Sequence, residues 1–357
     1  MYKDIHKTQH FTTRANEMIM NLFADLPQSF NGIEPFYGAG DLLKHVADDY
    51  DINWEYYDLD LSNTPENVNV IEQDTLAEPP NYSGKYVITN PPYLARNKTD
   101  DKEIFDQYGV DDLYKAAILS ALEAEGGIYV IPLNFFTDKR SAKIREAFLQ
   151  VFDVHTLNVF LYPTFDFTNY QTCAFSFTKR KPGDTRKATT LHIYHSPQNV
   201  QTVHTVIAPG VSSLFSKEYD QTFTHDKTFS YHRIVEGEPI QGDIIPIKFY
   251  LTDKNPRSYD LALQGDYSPG IHAAHGTHFV GKHTSRNECS FSIVGCEEEI
   301  DWLAVCDEWN KTIADFRYTT HNICLTNFRD AQRKRLSFGE ALAVLDQVIV
   351  KHIKTIE

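Results

Sequence analysis

Apolar positions along the first half of the chain switch between a helical spacing of about 3.6 residues and the alternation of strands. Residues 14–25 (RANEMIMNLFAD) carry the helical period, and residues 32–36 (GIEPF) read as a strand end running into a glycine turn. A helix is expected to begin at 42–47, a strand at 54–59, a short strand at 69–72 and a buried strand at 86–89 (YVIT). An amphipathic helix over 113–124, a strand over 127–132, a helix over 139–149 and strands over 154–161 and 173–177 follow. Such alternation predicts an α/β fold built on a parallel, doubly wound, Rossmann-like sheet.

The pattern changes at residues 179–184 (KRKPGD), a polar stretch with Pro and Gly that marks a domain boundary. The expected division is 1–182 and 183–357. Beyond it come short β-like runs rich in His, Ser and Thr, a mixed α/β pattern. Residues 338–357 form a strongly periodic final helix, expected to pack back on the chain. No internal repeat or low-complexity segment is seen.

Composition bounds the class. With 357 residues, 41% hydrophobic and 23% charged, the chain is neither disordered nor membrane-spanning in character, and it is long enough for two domains. No apolar run approaches the roughly 18 residues of a membrane span, so no membrane partner is expected. Met1 to Phe11 has no basic segment followed by an apolar core, which points to a cytoplasmic location, or a host-cell interior for a viral protein. Five cysteines without CxxC spacing read as reduced thiols. His272, His275, His278 and His283 lack a Cys or carboxylate at ligand spacing, so no metal is expected. The net charge of −15 is uneven: residues 1–180 hold 15 basic and 27 acidic side chains, a balance of −12, and the remainder balances at −3. A basic face on an acidic protein still binds phosphates, so this charge does not exclude nucleic acid.

Candidate chemistry begins at Asn90-Pro91-Pro92-Tyr93, directly after the strand YVIT. Two prolines at a strand tip make a stiff loop at the carboxyl edge of a parallel sheet, where α/β proteins bind ligands. The loop presents an amide oxygen and a backbone carbonyl, both acceptors for an exocyclic amine, and an aromatic face for a planar base. A proline-rich turn over a buried tyrosine is the plainer reading of so short a motif. Glu34-Pro35-Phe36-Tyr37-Gly38-Ala39-Gly40 brings glycines to a strand-to-helix turn, which lets a backbone pass close to a ligand. Asp58, some twenty residues on, stands where a carboxylate accepts from ribose hydroxyls, and Asp74 ends the next short strand.

In this order the motifs resemble the amino-methyltransferase family, in particular the DNA N6-adenine type whose cofactor motifs precede the catalytic one, the gamma order. The resemblance covers roughly residues 5–180. It implies S-adenosyl-L-methionine as cofactor and a site-specific DNA adenine methyltransferase, of restriction-modification or viral context. Thr12 or Thr13, in QHFTT, would contact the cofactor's carboxylate. Glu34, Phe36, Gly38 and Gly40 correspond to the glycine loop, though the family often has a small residue near Phe36-Tyr37. Asp58 corresponds to the ribose acid and Asp74 to the adenine-contacting acid. Asn90, Pro91, Pro92 and Tyr93 correspond to the catalytic corner, and Asn90 also lies beside the cofactor. Asp112-Leu113-Tyr114 begins the helix that follows that corner. Phe177, with Phe175 as the competing choice and plain core as the third, corresponds to the second aromatic of the base sandwich.

A target base inside a duplex must be flipped out to reach such a site. Residues 183–357 are therefore expected to recognise double-stranded DNA. Lys282, His283, Arg286 and Asn287, and Arg329 with Arg333, are the candidate contacts, against the plainer reading of solvated loops. A cognate restriction endonuclease is a further partner of this class. The alternatives are an RNA N6-adenine or N2-guanine methyltransferase, and a catalytically silent nucleic-acid-binding module, which the intact Asn90 and Tyr93 argue against.

Overall fold

The structure is a computed structural model that describes residues 18–44, 46, 50–165, 171–181, 183–210, 212–255, 257–285, 287–327 and 333–353. Two compact units divide after Leu214.

The first unit holds a nine-stranded sheet. Its strands are β1 (Ser29–Glu34), β2 (Asp51–Asp58), β3 (Val70–Glu72), β4 (Tyr86–Thr89), β5 (Gly126–Pro132), β6 (Phe152–Phe160), β7 (Thr172–Lys179), β8 (Thr189–Ser196) and β9 (Asn199–Thr205). The order is β3-β2-β1-β4-β5-β7-β6-β8-β9. Strands β1 to β5 run parallel, β7 is reversed between β5 and β6, β8 is parallel to β6, and β9 returns antiparallel. Chain progression reverses between β1 and β4, which opens a crevice at their carboxyl ends. The helices are α1 (Glu103–Tyr108), α2 (Leu113–Ser120), α3 (Asn134–Thr137) and α4 (Ala142–Val151).

Central strands covered on both faces read as continuous apolar runs, and β5 (GGIYVIP) is buried along almost its whole length. Gly127 lets β5 lie against β4: its φ is +152°, and a Cβ there would collide with the Val87 carbonyl. Phe135, Phe136, Phe148, Phe152 and Phe175 are fully buried and form the aromatic core beside it.

Three expectations shift. Residues 20–25 form a tight 3₁₀ turn rather than α-helix, and residues 1–17 lie outside the described region. Of the helix expected over 42–47, the described residues form only successive turns, Leu43 N–H to Gly40 and Val46 N–H to Leu43. Each bond reaches back three residues, so no α-helical ladder starts among the described residues. The boundary also moves. Residues 183–214 belong to the first unit, because β8 pairs with β6 and buries Leu191 and Ile193 completely. The buried Arg145 guanidinium donates to the carbonyls of Phe135, Asp138 and Gly210, and Ser213 N–H donates to Phe136, which fastens the segment before Leu214.

The second unit is mixed α/β. It contains α5 (Ser216–Phe223), β10 (Ser230–Arg233), β11 (Asp243–Ile244), β12 (Ile247–Tyr250), α6 (Ser258–Leu263), β13 (His272–His275), β14 (Glu288–Cys289), β15 (Phe291–Val294), α7 (Trp302–Thr319), β16 (Thr326–Asn327), β17 (Lys334–Arg335) and α8 (Phe338–Lys351). Its small sheets run β10-β15-β11 and β13-β12-β14, with the pair β16-β17. The final helix begins at a capping box, Ser337 with Glu340, and is observed from 338 to 351. Two buried carboxylates pin the unit. Asp346 accepts from Thr228 N–H, Phe229 N–H and the Tyr231 hydroxyl, and Asp253 pairs with Arg317 through two bonds of 3.0 and 2.8 Å.

Gly127→Ala is expected to destabilise the first unit by about 3 kcal/mol or more, because the clash is with the Val87 backbone of β4, which cannot give way without parting the two strands. A urea midpoint equal to that of the wild type would contradict this account of β5.

Candidate active site

Three neighbouring strands, β2, β1 and β4, end at Asp58, Glu34 and Thr89, and each of these residues is buried. Glu34 is the link between two of the loops that follow. One of its carboxyl oxygens accepts from Phe36 N–H at 3.0 Å and from the Thr89 hydroxyl at 2.5 Å. Burial pushes the Glu34 carboxyl up to about 8; the two hydrogen bonds oppose the rise and the nearby Asp58 charge adds to it.

The glycine loop is held from the β2 side. Tyr37 N–H donates to the Tyr57 carbonyl, and Gly38 N–H donates to Asp58 Oδ2 at 2.6 Å. The other Asp58 oxygen accepts from Asp60 N–H at 2.9 Å. Burial raises the Asp58 carboxyl, and these backbone donors offset part of the rise. Gly38 and Gly40 have φ of +54° and +73°, a conformation side chains rarely adopt. A Cβ on Gly40 would strike the Tyr37 ring, whereas one on Gly38 would meet nothing within 4 Å among the described residues. The loop is therefore packed on one side and open at Gly38. Asp74 sits on the turn after β3, where its carboxylate accepts from Ala77 N–H. The tie to the glycine loop comes from its neighbour, the buried Thr75, whose hydroxyl donates to the Pro35 carbonyl at 3.0 Å.

The catalytic-corner candidate follows β4. The Tyr93 hydroxyl lies 2.6 Å from both Asn90 Oδ1 and the Val130 carbonyl. A phenol has one proton and serves one of these acceptors. Its proton can go to the Asn90 amide oxygen or to the Val130 carbonyl, so the phenol stands between the corner and β5. Burial holds the Tyr93 phenol well above its usual range, so it remains a neutral donor. Past the corner, Leu94 N–H donates to Asp112 Oδ1 at 3.1 Å and Leu113 N–H returns to the Leu94 carbonyl. Burial pushes Asp112 up to about 6, against the Leu94 hydrogen bond and the Lys115 charge. Thr89 before the corner and Leu94 after it are thus both anchored.

Phe177 does not join this site. It is 1% exposed, its ring is stacked on Tyr129 at 5.0 Å, and Phe148 and Phe152 meet it edge-on. Reversal of β7 places Phe177 opposite Gly127, at the start of β5 rather than its carboxyl end. Phe175 is enclosed in the same core. The aromatics beside Tyr93 are Tyr114 and Phe165, with ring centroids at 6.2 and 6.3 Å and near-perpendicular planes. Phe165 lies in the β6–β7 connection, which an antiparallel return must bring to the carboxyl edge. Once β7 is known to be reversed, that connection is where a second aromatic belongs. Thr12 and Thr13 lie outside the described residues.

In the second unit, Arg286 and Arg329 also lie outside the described residues. The remaining candidates fall on two segments that meet beside Leu251-Thr252. Leu251 N–H donates to Asn287 and the Thr252 hydroxyl to the Asn287 side chain, while Thr252 bridges Arg335 and Leu336 N–H returns to Leu251. Asn287 and Arg335 are therefore brought to the same Leu251-Thr252 segment. The Arg233 guanidinium gathers the first segment by donating to the carbonyls of Lys282, His283 and Ser285. His283 is exposed and lies 3.0 Å from Glu238. His272 stacks on Tyr250. Among the described residues no group of His, Cys, Asp or Glu is arranged to hold a metal ion, and no helix is long and apolar enough to cross a membrane.

The first unit's sheet, with β7 reversed, is a doubly wound α/β sheet. No protein-family model and no curated protein matches the sequence. Solved structures similar to it include a modification subunit assigned to a type I restriction enzyme from Vibrio vulnificus, at 14% identity, 55% of this chain, 51% of that chain and a TM-score of 0.40. A protein from Listeria monocytogenes assigned to the class I S-adenosylmethionine-dependent methyltransferases matches at 14% identity, 56% and 72% coverage and 0.40. The type I restriction-modification methyltransferase subunit from Streptococcus thermophilus matches at 16%, 55% and 50% coverage and 0.40. The chain spans about half the length of the first and third of these proteins.

A buried acid raised above its solution value stabilises the fold fully below the unfolded value, and that stability is lost as pH rises through the folded value. For Glu34 the window runs from about 4.5 to about 8. Glu34→Gln keeps an acceptor for Phe36 and Thr89 without titrating. Relative to this variant, the wild type is expected to lose about 1.4 kcal/mol per pH unit across that window. Parallel stability curves for the two proteins between pH 5 and 8 would contradict the assignment.

Proposed function

We propose that the chain is a site-specific DNA adenine-N6 methyltransferase that uses S-adenosyl-L-methionine. The observation that carries the reading is the Asn90–Tyr93–Val130 contact at the end of β4, one strand from the open Gly38 turn on β1. Cofactor and acceptor chemistry thereby share the crevice where strand order reverses.

The residues present fit the cofactor. Gly38 leaves open space above its backbone, and the buried Asp58 stands at the end of β2 with lone pairs to spare for ribose hydroxyls. Gly38, Gly40 and Phe36 would line the methionine part, Asp74 the adenine amine, and Thr12 or Thr13 the carboxylate. Bound there, the cofactor supplies an electrophilic methyl group on a sulfonium. The chain supplies position. The Asn90 amide oxygen and the Pro91 carbonyl accept the two hydrogens of a flipped adenine's N6, which draws the nitrogen lone pair out of conjugation with the ring. Pro92 stiffens the corner, and Tyr93 holds the Asn90 amide by its phenol while its ring, with Phe165, offers the aromatic wall for the base. Neutral dipoles suit a reaction in which positive charge develops on nitrogen.

Residues 215–357 serve as the DNA-recognition unit in this reading, with Lys282, His283, Asn287 and Arg333 on adjoining segments. A restriction endonuclease partner and a cytoplasmic location belong to the same reading.

Labelled cofactor incubated with duplex DNA of mixed sequence is expected to yield N6-methyladenine at one sequence context. Label in RNA alone, or in neither, would defeat the proposal. Asn90→Ala is expected to lower single-turnover methylation at least about 100-fold with cofactor affinity nearly unchanged. Asp58→Ala should show the opposite split, with cofactor binding weakened about 100-fold by calorimetry.

A further inference from the structure

The nine-stranded sheet ends differently at its two edges. At one edge β3 has three residues and ends in the exposed Glu72, so shortness and charge guard it against pairing. At the other edge β9 has seven residues, Asn-Val-Gln-Thr-Val-His-Thr, with no Asp, Glu, Lys, Arg or Pro among them. Five of the seven are exposed, Val200 at 41%. All seven β9 residues are paired with β8 on one side, so alternate backbone amides and carbonyls face outward from the other. A long, uncharged edge with no strand beyond it among the described residues is the template onto which another strand adds.

We propose that β9 is a homodimer interface, in which two copies of the chain pair their β9 strands antiparallel about a two-fold axis at Thr202. The strand is complementary to itself in that register. Asn199 faces Thr205, Val200 faces His204, Gln201 faces Val203, and Thr202 faces its own copy. Each of these pairs is separated by an even number of residues. Whichever alternate set of amides points outward therefore meets the same set on the partner and closes its hydrogen bonds, whereas an axis between two residues would not allow this. Cross-strand Thr–Thr pairing is favourable, and no position meets a like charge, since His204 lies opposite Val200. Each chain carries a net −15, so an uncharged edge is where two copies approach with least repulsion. Two-fold pairing of identical surfaces also closes the assembly, which leaves no further edge at β9. This inference is independent of the reading of the active site.

Sedimentation velocity of the full chain over a concentration series tests it. The wild type is expected to shift to twice its monomer mass as concentration rises. Thr202→Lys sets two ammonium groups against each other at the axis and should raise the dimerisation midpoint at least about tenfold. A second arm fixes the register. Cys296 is the one partly exposed thiol, so the variants carry Cys296→Ser. With copper phenanthroline as oxidant, Thr202→Cys is expected to form a disulfide-linked dimer and Val200→Cys to remain monomeric under denaturing electrophoresis. A wild type that stays monomeric throughout overturns the proposal. So does a dimer indifferent to Thr202→Lys, or equal crosslinking at 200 and 202. Should circular dichroism show that Thr202→Lys has lost its fold, the crosslinking arm decides.

Discussion

The buried bond between Glu34 and Thr89 is the constraint on which the site depends. At the reversal point β1 and β4 are hydrogen-bonded neighbours, but the loops beyond them leave in different directions. A crevice there is useful only if its two lips keep a fixed separation. One carboxyl oxygen takes Phe36 N–H from one lip and the Thr89 hydroxyl from the other. The remaining oxygen is then the natural carrier of the proton that burial retains. A neutral acid in this position links the lips without a charge that the interior would have to solvate. A cation partner would have filled the space that the crevice needs.

Much of this was legible in the chain, for identifiable reasons. Strand β4 and its corner could be read closely because a parallel strand covered on both faces is a pure apolar run and two prolines end it. The spacing of Glu34, Gly38, Gly40 and Asp58 follows from strand and turn lengths, which are local properties. Phe177 was misplaced because its position depends on the direction of β7, and direction is set by pairing with β5 and β6, far away in sequence. The stretch KRKPGD has the composition of a linker, yet Leu191 and Ile193 just beyond it complete the first sheet's core. Thr75 and Thr89 escaped notice because a hydroxyl at a strand end carries no pattern. Their role appears only when Pro35 and Glu34 are seen within reach.

The acids of the site do two things at once, and this explains their environment. Asp58 already receives Gly38 N–H on one oxygen and Asp60 N–H on the other. A carboxylate has about four lone-pair positions, so in the proposed reading ribose hydroxyls would add to these bonds rather than replace them. The same side chain can therefore shape the loop before a ligand arrives and hold the ligand afterwards. Preorganisation of this kind lowers the ordering cost of binding.

Tyr93 extends the logic to the acceptor side. The Tyr93 hydroxyl lies between the Asn90 amide oxygen and the Val130 carbonyl of β5, 2.6 Å from each. Strand β5 is the most completely buried of the sheet and is held against β4 at Gly127. The orientation of one amide is thereby referred back to the stiffest element of the fold. An amide held only by its own rotamer would swing between donor and acceptor faces, and in the proposed reading half of its orientations would repel an incoming amine. Fixing it through a buried phenol removes that ambiguity, which is why the aromatic at this position needs its hydroxyl as much as its ring.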